Sequence, residues 1–257
     1  MPELPDLAVF SENLQARLQG KTVHSVECQR AIQLNTSPEQ LKSSLCNTSI
    51  ASVRRAGKEM AFVFSNQATL VVHLMVEGKF HITPVPAAVR FQILTLSLGD
   101  ESLVVSDPKG RVVLKLNPSP SSVPDALEVD GTYLRRKISE RRRKGVKAFF
   151  LDQSILRGIG NAYVDEILWQ ARISPKSIVG RIPDHIIDDL VASIRSVLID
   201  AIANIKREKP ETISDEVRGF LCVHNPKRSE SPTGYRIMTE TVASRITYFT
   251  EEQVLYV

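Results

Sequence analysis

Cysteine is scarce in this chain, and its scarcity excludes two kinds of stabilisation. Cys28, Cys46 and Cys222 are the three cysteines among 257 residues, and no two of them form a CxxC pair. An odd number of widely spaced cysteines suggests neither a disulfide framework nor a structural zinc site, which needs four ligands. We therefore expect a reducing compartment, with the cytoplasm as the default.

Long apolar runs are also missing. No stretch approaches the roughly 20 residues that a membrane-spanning helix needs. The N-terminal sequence MPELPDLAVF lacks the basic and apolar regions of a secretory signal. Hydrophobic residues make up 42% and charged residues 24% of the chain, as in a globular protein with a sizeable core. We expect no membrane partner.

Neither sign of charge is in large excess, since 33 Lys and Arg face 29 Asp and Glu. The distribution is uneven. Residues 1–130 carry 12 basic and 13 acidic side chains, whereas residues 131–257 carry 21 and 16. A basic second half fits a polyanionic partner. An ordinary solvated surface explains the same excess, so charge alone leaves both interpretations open.

Periodicity separates a strand-rich first part from a helical second part. Apolar residues at helical spacing predict an N-terminal helix that ends before Gly20. Runs rich in β-branched and aromatic residues predict strands at 22–26, 60–64, 69–74, 91–96 and 111–116. Successive short strands favour a β-sandwich. Three prolines within 117–125 then predict a linker. Helices are predicted at 131–144, 162–171 and 184–207, followed by a closing hairpin over 235–257.

The N-terminus combines groups that can act as a chemical site. Removal of Met1 would expose the secondary amine of Pro2. An α-amino group titrates near pH 8, so part of it is neutral and can form a Schiff base. Glu3 could move protons beside it. The same residues also suit the first turn of a helix, where proline and acidic side chains are favoured.

Two segments carry a family resemblance. The sequence PELPD at residues 2–6 resembles the PELPE opening of formamidopyrimidine-DNA glycosylases, with Asp6 one methylene shorter. The sequence GIGNAYVDEILW at 158–169 resembles the helix–two-turn–helix signature of the same family. The resemblance implies that Pro2 attacks the sugar C1′ and that Glu3 is the acid that opens the sugar ring.

The second segment also implies contacts to the DNA backbone. Asn161 and neighbouring backbone amides would hold the phosphate of the lesion strand, and Lys147 would be a further phosphate ligand. An ordinary helix–turn–helix with a capping Asn161 and a plain surface Lys147 are the alternatives.

The C-terminal segment 243–253 resembles the family's zinc-finger hairpin, in which Arg245 matches the DNA-contacting arginine. Thr250 stands where a zinc-binding cysteine is expected, and the upstream stretch 222–234 offers only Cys222 and His224, which a degenerate metal site would have to use. We therefore expect a zincless finger and no cofactor. The hairpin would be held by packing of Tyr248, Phe249, Leu255 and Tyr256.

Three turns of the sandwich resemble DNA-contacting loops of the family. RRAGKEM at 54–60 implies that Lys58 lies near Pro2 and the lesion phosphate, unless it is simply a turn lysine. HLMVEGK at 73–79 implies a phosphate contact by His73 and places Val76 where the family has a void-filling methionine. DPKGRV at 107–112 places Lys109 and Arg111 where the family has an arginine and a wedging phenylalanine. These substitutions leave lesion choice open, because base flipping needs groups that fill the gap.

The resulting expectation is an α+β protein with four parts. An N-terminal β-sandwich catalytic domain with a helix spans 1–118 and a linker spans 119–131. A helix–two-turn–helix domain spans 132–217 and a zincless β-hairpin finger spans 218–257. The expected activity is that of a monomeric bifunctional DNA glycosylase and AP lyase acting on oxidised bases in damaged double-stranded DNA. An AP lyase with little glycosylase activity and a non-catalytic damaged-DNA-binding protein are the alternatives.

Overall fold

The computed structural model describes residues 1–28 and 33–257 and divides the chain into two compact units. Unit 1 comprises Met1–Pro120 together with Ile205–Glu216, and unit 2 comprises Ser121–Asn204 together with Val217–Val257. The sequence pattern gave no signal for the inclusion of Ile205–Glu216 in unit 1. Within the described ranges, no helix is both long enough and apolar enough to cross a membrane.

The helices and strands are numbered in chain order. The α-helices are α1 (Leu4–Leu18), α2 (Pro38–Leu45), α3 (Gly131–Glu140), α4 (Val146–Leu151), α5 (Asn161–Gln170) and α6 (Asp184–Glu208). The strands are β1 (Ser25–Cys28), β2 (Gln33–Leu34), β3 (Ile50–Ala56), β4 (Glu59–Phe64), β5 (Thr69–His73), β6 (Lys79–Thr83), β7 (Gln92–Ser97), β8 (Ser102–Ser106), β9 (Val113–Leu116), β10 (Met238–Val242) and β11 (Arg245–Phe249). Short 3-10 turns cover Pro86–Ala88 and Val179–Arg181.

Two sheets form the sandwich of unit 1. One sheet has the strand order β1-β7-β8-β6 and the other the order β2-β9-β5-β4-β3, with β2 and β9 as a parallel pair. The rings of Phe62 on β4 and Phe80 on β6 meet edge to face, with centroids 5.8 Å apart, and both are buried. The apolar faces of the two sheets therefore pack on each other. The predicted β-sandwich with an N-terminal helix is confirmed.

Helix α1 lies along β3 and runs in the opposite direction. The Gly20 N–H donates to the Ile50 carbonyl at 2.8 Å, and the Gln15 side chain accepts from the Val53 N–H. From Gln15 back to the start of α1 is about 16 Å at the rise of a helix. From Val53 forward to Lys58 is also about 16 Å at the rise of a strand. The N-terminus and the β3–β4 turn therefore reach the same end of the sandwich.

Unit 2 is built around α5, whose residues 162–169 are all buried. The β10–β11 hairpin turns at Ala243 and Ser244, where φ is 52° and 58°. Positive φ at both central residues is typical of a type I′ turn, which matches the twist of a hairpin. Helices and a terminal hairpin were predicted for this part of the chain, and both are present.

Two boundaries in unit 2 differ from the sequence prediction. Helix α3 was expected to reach residue 144 but ends at Glu140, because the N–H groups of Arg141 and Lys144 donate to the carbonyls three residues before them, those of Ile138 and Arg141. These bonds replace the helical ones, which would reach back four residues.

The last five residues also differ, since they do not extend the hairpin. The Val254 carbonyl accepts from the Ser174 N–H and the Tyr256 carbonyl accepts from the Ile178 N–H, each at 2.8 Å. A single apolar run could not distinguish a hairpin strand from this long-range pairing.

Candidate functional site

The N-terminus of unit 1 is fixed by a reciprocal cap on α1. The Glu3 carboxylate accepts from the Asp6 N–H, and the Asp6 carboxylate accepts from the Glu3 N–H at 2.9 Å. Pro2, Glu3 and Asp6 are all buried. The cap therefore holds the Glu3 carboxyl directly beside Pro2, with little freedom to move.

The chain ahead of Pro2 ends in an ion pair. The Met1 ammonium lies 2.6 Å from a Glu216 carboxylate oxygen. While Met1 is attached, the Pro2 nitrogen belongs to an amide and is not nucleophilic. Removal of Met1 would convert it into a secondary amine at a defined position in unit 1. No local pattern indicates that Glu216 lies here, because it is more than two hundred residues away along the chain.

Lys58 occupies the second central position of the β3–β4 turn. Gly57 precedes it with φ 62°, and the flanking residues Ala56 and Glu59 are paired. Positive φ at the first central residue is typical of a type II′ turn, which glycine adopts without strain. Since α1 starts at this end of the sandwich, the turn carries Lys58 at the same end of unit 1 as Pro2.

His73 ends β5 close to the same turn. Burial lowers the pKa of His73, the Glu59 carboxylate opposes this, and the positive charge of Lys58 adds to it. The His73 Nδ1 atom accepts from the Met75 N–H at 2.9 Å, so the neutral ring carries its hydrogen on Nε2. A neutral imidazole with a free Nε2–H is a hydrogen-bond donor that suits a phosphate oxygen.

The loop between β5 and β6 carries Val76 at its tip, where the side chain is 48% exposed. The loop is tight because a Cβ at Gly78 would lie 2.3 Å from the Leu74 carbonyl and 2.7 Å from Val112. Glycine is therefore required at position 78, and Val76 projects from a rigid turn.

The loop from residue 107 to 112 is organised by the buried carboxylate of Asp107. It accepts from the backbone N–H groups of Lys109, Arg111 and Val112. Lys109 also forms an ion pair of 2.6 Å with Glu77, at the tip of the neighbouring loop. The two loops are therefore tied together, and the Lys109 ammonium is neutralised by a carboxylate of the same unit.

The start of α1, the β3–β4 turn, the end of β5, the β5–β6 loop and the Asp107 loop share one end of unit 1. His73 pairs with Val113, which directly follows the Asp107 loop, and His73 itself leads into the Val76 loop. The structure thus brings together the predicted site residues of the first 120 positions, namely Pro2, Glu3, Lys58, His73, Val76, Lys109 and Arg111. Their roles toward a ligand remain predictions.

In unit 2, Asn161 and Arg245 are neighbours. Asn161 is the first residue of α5, and its side-chain N–H donates to the Ile246 carbonyl at 3.0 Å. Arg245 precedes Ile246 on β11 and is exposed. No acidic side chain within the described ranges forms an ion pair with it. A helix N-terminus, a second amide N–H of Asn161 and a guanidinium together make a site suited to an anion.

The turn before α5 is braced by a glutamine that the sequence analysis overlooked. The Gln153 carbonyl oxygen accepts from the Gly158 N–H at 2.9 Å, and its side-chain N–H groups donate to the carbonyls of Leu151 and Ile159. Gly158 has φ 108°, which only glycine adopts readily. Gln153 thereby fixes the direction from which the chain enters α5.

Lys147 is not the plain surface lysine that was the alternative, and its burial does not favour the predicted role as a phosphate ligand. Its side chain is fully buried, and its ammonium lies 2.7 Å from Asp165 and 2.6 Å from the Thr247 hydroxyl. Asp165 also accepts from His224 Nδ1 and from the Tyr248 N–H. A buried ammonium with these partners cannot reach a surface ligand without breaking an ion pair. Lys147 instead ties α4, α5 and the hairpin together.

The finger is held by polar contacts more than by the packing that was predicted. Glu252 accepts from the Trp169 indole N–H and the Thr233 and Thr250 hydroxyls, and it pairs with Arg172. Among the residues expected to pack, Phe249 is buried, but Leu255 is 51% exposed and therefore contributes little. The hydrogen bonds and the ion pair of the Glu252 carboxylate thus take the place of an apolar cluster.

The groups around Glu252 do not form a zinc site. Hydroxyl groups are poor ligands for structural zinc, which prefers thiolate and imidazole. Within the described ranges, no group of three or more His, Cys, Asp or Glu side chains is placed so that it could hold a metal ion. Burial, and then the Glu166 carboxylate, raise the pKa of the Cys222 thiol to about 11, which disfavours the thiolate that a metal requires.

The segment that contains Cys222 is anchored by a residue that the sequence analysis missed. The Glu166 carboxylate accepts from the N–H groups of Cys222, Val223 and His224 at 2.7–2.8 Å. Burial raises the pKa of Glu166, and these three bonds oppose that shift. The pairing joins positions 56 to 58 residues apart, so no local pattern indicated it.

Two family profiles match consecutive parts of the chain. The family profile of the formamidopyrimidine-DNA glycosylase N-terminal domain matches residues 1–112, and that of the formamidopyrimidine-DNA glycosylase H2TH domain matches residues 121–211. The chain belongs to the formamidopyrimidine-DNA glycosylase family. The enzyme of that name from Lactococcus lactis subsp. cremoris is 30% identical over 267 residues, which cover 97% of each chain. The one from Carboxydothermus hydrogenoformans is 33% identical over 204 residues, covering 77% of this chain and 76% of that protein.

Solved structures of the family match over nearly the whole chain. A complex between the Lactococcus lactis Fpg and an abasic-site-containing DNA has a TM-score of 0.86 and 26% identity, covering 97% of this chain and 98% of that one. MutM in complex with carbocyclic 8-oxo-G containing DNA has a TM-score of 0.87 and 27% identity, with the same coverage. The predicted family is thereby confirmed.

Proposed function

We propose that this chain is a base-excision-repair DNA glycosylase and AP lyase that acts through a Schiff base of Pro2. The observation that carries the proposal is the end of unit 1, where Pro2, a capped Glu3, Lys58 and His73 are held together. Family membership supports the glycosylase assignment, because the relatives bear that name. The chemistry at Pro2 is inferred from the residues present.

The reaction would use these groups in sequence. The lone pair of the neutral Pro2 amine bonds to the sugar C1′ as the base leaves with the electron pair of its bond to C1′ and takes up the proton that the amine nitrogen loses. Glu3 donates a proton to the ring oxygen as the bond from C1′ to that oxygen breaks, which opens the sugar and leaves an iminium at C1′. Loss of a C2′ proton then expels the 3′ phosphate by β-elimination. Lys58 would offset the negative charge of a neighbouring phosphate during this step.

Unit 2 would contribute backbone binding. Asn161, the N-terminus of α5 and Arg245 form the anion site of unit 2 described above, and His73 is a separate donor in unit 1. We propose that damaged double-stranded DNA is the ligand of these groups and that a monomer binds it. The proposed reaction uses no metal and no organic cofactor. The hydrogen bonds and the ion pair of Glu252 would hold the finger together without zinc.

A second candidate is an AP lyase with little glycosylase activity. The ion pair between Lys109 and Glu77 favours it, because a lysine neutralised within its own unit is a poor probe of an orphaned base. Val76 is shorter than the methionine expected there. An abasic site needs neither base pocket nor strong wedge, so these features would affect it less.

Borohydride trapping tests the proposal directly. Protein whose mass shows that Met1 is absent should form a reducible covalent complex with duplexes that carry an abasic site, 8-oxoguanine, thymine glycol or a hydantoin. Protein with a peptide extension before Pro2 should lose at least about 100-fold of this product, because its nitrogen is an amide. Trapping on the abasic site alone would select the AP lyase. No trapping by the processed protein on any duplex would contradict the Schiff base.

Arg245→Ala should weaken binding to an abasic duplex about tenfold at physiological salt, since a charge-assisted contact to phosphate is lost. The slope of the logarithm of the association constant against that of the salt concentration should fall by about one. Arg236→Ala is the matched control, because Arg236 is an exposed arginine in the same finger. Equal slopes for Arg245→Ala and the unmodified protein would remove Arg245 from the interface.

A further inference from the structure

Phe91 is an exposed aromatic residue in a conformation that phenylalanine avoids. Its φ is 58°, and its side chain is 43% exposed. A bulky residue with positive φ is a steric outlier, and such strain persists where the surrounding structure imposes it and is often part of a function. Because the ring is not buried in the core, packing does not explain why phenylalanine stands at this position.

The position of Phe91 is fixed on both sides. Its carbonyl accepts from the Asp107 N–H at 2.9 Å, just beyond the pair Gln92 and Ser106 at the end of the β7–β8 ladder. The Gln92 side chain donates to the Pro86 and Val89 carbonyls, which holds the preceding segment. The backbone that carries the ring is therefore rigid.

Phe91 is adjacent to the Asp107 loop, whose Arg111 stands where the family resemblance expects a phenylalanine wedge. The Arg90 guanidinium lies 5.1 Å from the centroid of the Phe91 ring. Among the described residues of unit 1, Met1, Val76, Val85 and Phe91 are the exposed large hydrophobic ones, and Phe91 alone has a ring. The Asp107 loop has no aromatic side chain, and the residue whose carbonyl bonds to its first amide carries one.

We propose that Phe91, supported by Arg90, stacks on a nucleobase of DNA whose duplex is opened at an abasic or damaged site. An aromatic face stacks on any base, and a guanidinium adds a cation–π contribution. Phe91 would thus supply, from the end of β7, the surface that the Asp107 loop does not provide. The inference rests on the DNA binding in the proposed function and is independent of the chemistry at Pro2.

Phe91→Gly separates a stacking role from a structural one. Glycine adopts positive φ without strain, so thermal stability should stay equal or rise. Affinity for a duplex with a tetrahydrofuran abasic analogue should nevertheless fall about tenfold or more, whereas affinity for the intact duplex should change less than about twofold. Phe91→Trp should keep the preference for the abasic duplex. Val85→Gly, which also removes an exposed apolar side chain, is the matched control.

A 2-aminopurine placed beside the abasic analogue gives a second readout. Its fluorescence should fall when the unmodified protein binds and should stay high with Phe91→Gly at saturating protein. Unchanged affinity for the abasic duplex, an equal loss on both duplexes, or a lowered melting temperature of Phe91→Gly would each overturn the proposal. If the protein binds abasic DNA but is not trapped by borohydride, the Schiff-base proposal is contradicted and the stacking proposal for Phe91 is not affected.

Discussion

Glu3→Gln should abolish most base release while leaving the Schiff base with a preformed abasic site intact. Removal of a general acid costs typically 10²- to 10⁴-fold in rate. Release of an intact damaged base requires the sugar ring to open, and Glu3 is the proton source assigned to this step. An abasic sugar already exists partly as the open aldehyde, so its reaction with the Pro2 amine needs no such acid.

The glutamine variant is informative because it should preserve the local structure. The Glu3 carboxylate accepts from the Asp6 N–H as part of the cap on α1, and the carbonyl oxygen of a glutamine can accept the same bond. The fold and the position of Pro2 should therefore be retained. A single-turnover assay of base release, run beside borohydride trapping on abasic DNA, measures the two steps separately.

Glu12→Gln is the control for this change. Glu12 lies on the same helix, is exposed and pairs with Lys206, so the substitution should alter neither step. Base release by Glu3→Gln at the rate of the unmodified protein would exclude Glu3 as the acid. Equal loss of base release and of abasic-site trapping would instead indicate that Glu3 only positions Pro2.

The parts of this molecule that could be predicted from sequence are those encoded by neighbouring residues. Runs rich in β-branched and aromatic residues indicated the strands of the sandwich, and helical spacing indicated α1, α5 and α6, because these signals are carried by the residues of a single element. The short helices α2 and α4, of 8 and 6 residues, were not predicted. So few turns give too little periodicity to distinguish a helix from a loop.

The site could be predicted where it depends on motifs and could not where it depends on long-range pairing. Pro2, Glu3 and Lys58 lie in or beside recognisable segments, and the fold brings them to one end of unit 1. The burial of Lys147 had no local signal, because its partner Asp165 is 18 residues away and Thr247 is 100 residues away. A lysine that resembles a family ligand by position can therefore belong to a buried network.

That network predicts a large loss of stability for Lys147→Met. Removal of the ammonium leaves the Asp165 carboxylate buried, with donors from His224 and Tyr248 but without its cation. Breaking a buried ion pair by deleting one partner typically costs about 3–5 kcal/mol. Domains are stable by about 5–15 kcal/mol, so this loss is a large fraction of the total. Lys176→Met is the control, because Lys176 pairs with Glu240 at the surface of the same unit and should cost less than about 1 kcal/mol.

The chain offers a selective probe for this measurement. Trp169 is its single tryptophan and lies on α5 in unit 2, so its fluorescence during urea unfolding reports on the unit that contains Lys147. The double variant with Lys147→Met and Asp165→Asn should recover part of the loss, since the uncompensated charge is then gone. At temperatures where Lys147→Met remains folded, its DNA affinity should show the same salt slope as the unmodified protein, because a buried ammonium neutralises no phosphate. If the Lys147→Met protein is as stable as the unmodified protein and its salt slope is smaller by one, Lys147 contacts DNA and the buried ion pair is contradicted.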